Sequence, residues 1–309
     1  MSSLFESPLM ANIRVGISLR EARREQEHVQ EQSRLAGLPA FTPDSFARLL
    51  PCKPDADTLF ILGSGPSVRE LTASQFAHIE KQRSVGINNW GLHKFVPDFF
   101  SLESVPSVGD GQSLQRALDL LRRSDIEQAQ PALLVLRPRT GEHLHALESL
   151  PRFLQGRTMF YGRISPTTRK RSNLDHDLGL TLQELLDRFP AVFVDSGASI
   201  LRMTGLAAAL NLSRIVFVGV DLNTTSYFWE NNRDYLLDSR AAAALNSQDR
   251  TSSLHETMST QSRPFSVIEM LGSMQKVLSA QQGAEMFVAS ENSELAAIMP
   301  TYHWPAFLT

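Results

Sequence analysis

A small-residue turn after an apolar run is a place where a backbone can close on an anion, and this chain has one at Gly63-Ser64-Gly65-Pro66-Ser67. Glycine lets a ligand approach the main chain, and N–H groups at a helix start attract phosphate. Neither common phosphate motif is complete: Val68 stands where the dinucleotide fingerprint has its third glycine, and no Gly-Lys-Ser/Thr follows. A plain strand–helix turn is the competing account. Asp195-Ser196-Gly197-Ala198-Ser199 repeats the pattern at a second run end, with a hydroxyl at Ser196 and an amide at Gly197 to offer. Ordinary helix capping by Ser or Asp competes there.

Three further positions carry usable chemistry. Asn88-Asn89 could hydrogen-bond a sugar or a base edge, although asparagine is also a common turn residue. Glu103 follows the apolar residues 99–102 and could bind sugar hydroxyls or act as a base; an exposed carboxylate at a loop start explains it as well. Histidine as a residue type titrates near neutral pH, so His255 could take a proton from a hydroxyl nucleophile, although a loop histidine is more commonly a surface residue. No His-Glu-x-x-His, clustered His/Asp set or Gly-x-Ser-x-Gly elbow occurs, so no protein-bound catalytic metal is expected.

The elements that must position these groups follow from the apolar pattern. Residues 59–62 form a continuous apolar run, as in a strand buried on both faces. Strands are also predicted at 84–87, 99–102, 132–136, 192–194, 215–220 and 284–288. Helices are predicted at 72–82 with Thr72 as N-cap, 113–122, 181–188, 200–210 and 265–280. The charged stretch 16–35 predicts an exposed helix lying on the domain or at an oligomer contact, and 38–52 a connector with a short helix. Residues 155–180 read as irregular, and 231–263 as polar and weakly periodic. This alternation predicts an α/β fold with a mainly parallel Rossmann-like sheet and helices on both faces. Ligands of such sheets bind beyond the carboxyl ends of the strands, where all these turns fall.

Composition sets the outer bounds. The chain has 309 residues, 42% hydrophobic and 20% charged, enough for a real core. A net charge of -3 supplies no field for nucleic acid, so local donors must hold any anionic substrate. Cys52 is the single cysteine, which excludes internal disulfides and reads as a structural thiol. Without a basic region leading into a long apolar run, and without a membrane-spanning stretch, a cytoplasmic protein is expected. Peripheral contact with the inner face of the membrane and a homo-oligomer stay open.

Taken in order, these segments resemble the bacterial single-domain sialyltransferases that use CMP-sialic acid. The resemblance runs over residues 58–300 through FILGSGPSVREL, Asn88-Asn89, SGASILRMTGLAAALNLSRIVFVGVDL and His255 followed by a helix. It implies a glycosyltransferase-A-like variant of the Rossmann-like fold with a small lid at 231–254. The same resemblance implies a CMP-sugar donor, a glycan or glycolipid acceptor of the bacterial surface, inverting transfer, and no cofactor or required metal. His255 would be the general base. Gly63, Ser64, Gly65, Pro66, Ser67, Asn88, Asn89, Ser196, Gly197 and Asp221 would form the nucleotide site. The family places two tyrosines on the leaving phosphate; here Asn223 stands near the first position, and Tyr227 meets the second across a small gap. That departure leaves the donor open among sialic acid, Kdo and legionaminic acid. The expected division is an N-terminal helical extension at 1–50, a catalytic domain at 51–300 and a tail at 301–309. Two other classes stay in view: an ATP-dependent pyrophosphokinase-like enzyme, and a catalytically inactive nucleotide-binding protein.

Overall fold

Eight short strands carry the apolar runs: β1 (Thr58–Leu62), β2 (Arg83–Ile87), β3 (Phe99–Leu102), β4 (Ala132–Leu136), β5 (Thr158–Ile164), β6 (Val192–Val194), β7 (Arg214–Val218) and β8 (Glu285–Val288). The computed structural model describes residues 8–103, 111–138, 141–224, 226–230 and 264–305. The strands form one sheet in the order β6-β5-β4-β3-β2-β1-β7-β8, and every neighbouring pair is parallel. All five residues of β1 and of β4 are buried, which is why these strands read as unbroken apolar runs rather than alternating ones.

The described helices are α1 (Pro8–Ala36), α2 (Pro43–Ala47), α3 (Ala73–Lys81), α4 (Gly111–Leu120), α5 (Ser124–Ala129), α6 (Gly141–Glu148), α7 (Arg152–Gln155), α8 (Arg171–Arg188), α9 (Ser199–Ala209) and α10 (Val267–Gln282). Thr72 caps α3 in a reciprocal capping box with Gln75, and Ser266 does the same for α10 with Glu269. The sequence SILRMTGLAAA of α9 is apolar nearly all round, and the helix is accordingly buried over Ser199–Ala208 while it lies on β1, β2 and β6.

Two expectations are corrected here. The stretch 155–180 is not irregular: it holds β5 and the first half of α8. Gly162 and Arg163 interrupt the apolar run of β5. In α8 the buried stripe includes Asp177, Gly179 and Thr181, so neither element has a clean hydrophobic signature. The charged N-terminal helix is likewise more than an exposed one. Its inner stripe, Ala11, Val15, Ser18, Ala22, Glu25, Val29 and Ser33, is buried against β5 and α8. Glu25 takes both Nε (2.7 Å) and Nη2 (2.6 Å) of Arg137 and the Arg163 amide at 3.1 Å. Three of those seven stripe residues are polar, which hid the stripe from a hydrophobicity count.

The connectivity fixes where a ligand can enter. The chain steps outward from β1 to β6, then returns through α9 to β7 on the other flank of β1. Between β1 and β7 the winding reverses, and crevices of doubly wound sheets open at such a point.

Candidate active site

At that reversal the ends of β1 and β7 interlock. The ladder continues past the strands, with Gly63 N donating to Val218 O (2.7 Å) and Gly65 N to Gly219 O (2.7 Å). A Cβ on Gly63 would stand 2.5 Å from Gly219 O, and one on Gly65 would strike the Asp221 carboxylate. Gly219 has φ +63°, and a Cβ there would collide with Val68. These glycines are therefore demanded first by the β1–β7 contact. The turn closes into a single 3₁₀ segment, Pro66–Glu70. Ser67 donates its amide (2.9 Å) and its hydroxyl to Asp221, and Val68 N donates to Gly65 O (3.3 Å).

The amides of Gly63, Gly65, Ser67 and Val68 are thus engaged within the protein, and Pro66 has none. The expected phosphate cradle of free helix-start amides is not what this turn presents. Ser64 remains: its amide has no partner among the described residues, and its hydroxyl is buried without a hydrogen bond. Burial raises the Asp221 carboxyl, while the two bonds from Ser67 oppose that shift.

The second turn is also satisfied internally. Asp195 Oδ1 accepts the amides of Gly197 (2.7 Å) and Ala198 (2.9 Å), which bends the chain through Gly197 at φ +81°. Burial alone would raise Asp195, but Arg202 and Arg163 together hold it below the usual carboxylate range. Ser199 Oγ stands 3.1 Å from Asn88 Oδ1 and also donates to Glu103 Oε1. Arg202, fully buried, pairs with Glu103 through Nη2, reaches Tyr161 Oη through Nε at 3.2 Å, and holds Nη1 2.9 Å from Asp195 Oδ2. That last contact is an ion pair without hydrogen-bond geometry. Burial opposes the Arg202 charge, yet Tyr161, Glu103 and Asp195 raise its pKa. Asp195 thus takes the two amides just before α9, while the amides of Ser199 and Ile200 at the helix start have no partner among the described residues.

Between the two turns lies a cleft of about 410 Å³. Gly63, Ser64 and Gly65 line it from β1, Asn88 and Asn89 from β2, Glu103 from β3, Gly197 to Ile200 from the α9 start, and Gly219 to Leu222 from β7. Thr224, Ser226 and Tyr227 also line it, with Ile87, Leu102 and Ala117 as apolar patches. Asn88 (φ +55°) and Leu222 (φ +63°) hold left-handed backbones at its wall, a conformation that costs free energy in non-glycine residues and collects at functional sites. The Tyr227 ring stacks on Trp229 at 4.4 Å, and Arg69 donates to the carbonyls of Tyr227 and Phe228 at 2.8 Å each. Phe228 N in turn donates to Ser64 O at 3.0 Å, so the segment bearing Tyr227 is tied to the β1 turn. No basic side chain occurs among the described lining residues, which include the carboxylates of Glu103 and Asp221.

No family model matches this chain, and no curated protein matches it. Solved structures do. The sialyltransferase CstII from Campylobacter jejuni, in complex with the substrate analogue CMP-3FNeuAc, has 14% identity and a TM-score of 0.43, over 79% of this chain and 86% of that chain. The monofunctional alpha-2,3-sialyltransferase Cst-I from Campylobacter jejuni has 12% identity and a TM-score of 0.44, over 83% and 86%. The sialyltransferase Cst-II with trisaccharide acceptor and CMP has 15% identity and a TM-score of 0.40, over 79% and 85%.

Of the residues singled out from sequence, Gly63, Ser64, Gly65, Asn88, Asn89, Glu103, Gly197, Asp221 and Tyr227 meet at one cleft. Pro66, Ser67 and Ser196 do not line it; Ser67 acts behind the wall by holding Asp221. Asn223 does not line it either, and its Nδ2 donates to Asn292 O at 2.7 Å. His255 and the stretch 231–254 lie outside the described residues. Cys52 is exposed, so it fills no place in the core. Sequence reasoning passed over Ser199, Thr224, Ser226 and Arg202. For Arg202 a signal existed: a lone charge in an apolar helix is rarely buried unless paired. Among the described residues no helix is long and apolar enough to cross a membrane.

Proposed function

We propose that the protein is a glycosyltransferase that moves an acidic eight- or nine-carbon sugar from its CMP ester to a glycan hydroxyl, with inversion and without a required metal. One observation carries this: the cleft at the β1–β7 reversal, where Ser64, Asn88, Asn89, Ser199 and Tyr227 meet the carboxylates of Glu103 and Asp221, and where the Ser64 amide has no partner among the described residues. A buried donor without a partner costs free energy unless a ligand or water satisfies it. The order of motifs that resembles the CMP-sialic acid enzymes supplies the nucleotide.

The chemistry follows from charge. Departure of CMP leaves a new charge on its phosphate, and donors aimed there lower the barrier. Ser64 and Tyr227 serve this end of the cleft as neutral dipoles. The anomeric carbon becomes cation-like, so the attacking hydroxyl needs a single positioned base; His255 takes that role by the resemblance of its place in the chain. The acceptor belongs to a surface glycan or glycolipid.

A thermal-shift screen tests the donor. CMP and CMP-sugars are expected to raise the melting temperature, since a ligand of the folded state stabilises it, while UDP- and GDP-sugars leave it unchanged. Transfer is expected to survive EDTA. Equal stabilisation by UDP compounds would remove the CMP assignment, and ATP- and magnesium-dependent turnover would replace it with pyrophosphoryl transfer.

A further inference from the structure

We propose that Glu103 reads the ribose of the bound nucleotide, accepting a hydrogen bond from a ribose hydroxyl through the carboxylate oxygen not used inside the protein. This rests on the nucleotide-sugar assignment of the same cleft. Glu103 lines the cleft beyond β3, and its side chain keeps 20% of its exposure. Oε1 is bound twice, by Ser199 Oγ and by Arg202 Nη2, whereas Oε2 has no hydrogen-bond partner among the described residues. Arg202 is itself fully buried and held by Tyr161 and Asp195, so the anchor has no freedom to swing. A carboxylate pinned by one oxygen offers the other in a fixed direction, and little side-chain entropy is left to lose on binding.

The chemistry of that oxygen selects its ligand. A carboxylate in an ion pair accepts hydrogen bonds and donates none, so it suits hydroxyls and repels a phosphate. The phosphate therefore belongs at the other end, by Ser64. Position agrees. Ser199 Oγ touches both Asn88 Oδ1 and Glu103 Oε1, so the Glu103 carboxylate reaches back to the end of β2. Sheet order sets Glu103, at the end of β3, two strands from the β1 turn that carries Ser64, with Asn88 of β2 between them. A nucleotide lying across these strand ends would bring its 5′-phosphate to Ser64 and its ribose hydroxyls to Glu103, with the base further out. An acidic residue beyond a neighbouring strand accepts a ribose hydroxyl in other doubly wound sheets.

The test is calorimetric titration of the full chain with CMP, 2′-deoxyCMP, 3′-deoxyCMP and UMP. At least one deoxy nucleotide is expected to bind about 10-fold or more weakly than CMP, the loss of one charge-assisted hydrogen bond. In Glu103→Gln that preference should shrink to within about 2-fold, with the CMP-to-UMP ratio unchanged. Both deoxy nucleotides binding the wild type as well as CMP does would overturn the proposal while leaving the CMP donor in place. So would a Glu103→Gln protein that keeps its ribose preference but loses its choice of cytosine over uracil, since Glu103 would then face the base amino group. A strong ribose preference shared by CMP and UMP would keep the proposal and sink the CMP donor; no binding by any of them would sink both. The wild-type series decides the matter even if Glu103→Gln fails to fold.

Discussion

Ser64 and His255 separate two tasks, and substitution should separate them in measurement. Ser64 lines the cleft, and its hydroxyl is buried without a hydrogen bond. Removing one neutral hydrogen bond in Ser64→Ala should weaken CMP binding by roughly 3- to 10-fold. His255, assigned as the base on the acceptor, should leave CMP affinity intact in His255→Ala while transfer falls by about 10²–10⁴-fold. The check is CMP affinity and turnover measured side by side on both proteins. Near-normal transfer by His255→Ala would make it a surface histidine and pass the base role to another residue.

Where strands β1 and β7 end, backbone crowding sets the requirement for glycine. Gly63 sits with Gly219 O where its own Cβ would be, 2.5 Å away. The obstruction is a carbonyl that already accepts the Gly65 amide, so it cannot turn aside cheaply. Gly63→Ala is therefore expected to cost about 1–3 kcal/mol of stability, as overpacking of a filled site does. Urea unfolding without nucleotide reads it directly. Unchanged stability combined with lost CMP binding would mean that the glycine serves the ligand and not the strands. The same logic explains why Asp221 is retained beside the cleft: it receives Ser67 twice and fixes the turn that Ser64 occupies.

For the molecule as a whole, acid sensitivity should centre on His93. Its ring is buried between Trp90 (4.5 Å) and Phe76 (5.1 Å), and its Nδ1 accepts the Phe95 amide at 2.9 Å. Burial, with smaller contributions from Lys94 and Arg123, lowers its pKa from 6.5 to about 3. Above pH 6.5 the ring is neutral in both folded and unfolded chains and adds no pH dependence. As pH falls from about 6.5 towards 3, only the unfolded chain takes the proton, so folding loses about 1.4 kcal/mol per pH unit from this group. His93→Asn keeps an acceptor for Phe95 and removes the titration. Its stability should fall less steeply than the wild type's between pH 6 and about 4; parallel slopes would mean that His93 is protonated in the fold.

Local pattern was enough for the apolar runs of β1, β4 and β7, for the cap at Thr72, and for the placing of the candidate turns at strand ends. Each depends on a residue and its near neighbours, and continuous apolar runs have few alternatives to burial. Among the elements that escaped, β5 is broken at Gly162 and Arg163, and the first half of α8 buries Asp177 and Gly179 on its inner face. The site was legible as a set of positions but not as a set of contacts. That Gly65 spends its amide on Gly219 and that Ser67 spends its amide and its hydroxyl on Asp221 are pairings across long sequence separations. Strand order decided them, by setting β7 beside β1, and strand order is a tertiary outcome. The residue types named which groups could meet a nucleotide; only the packed sheet determined which of those groups still had hydrogen bonds to give.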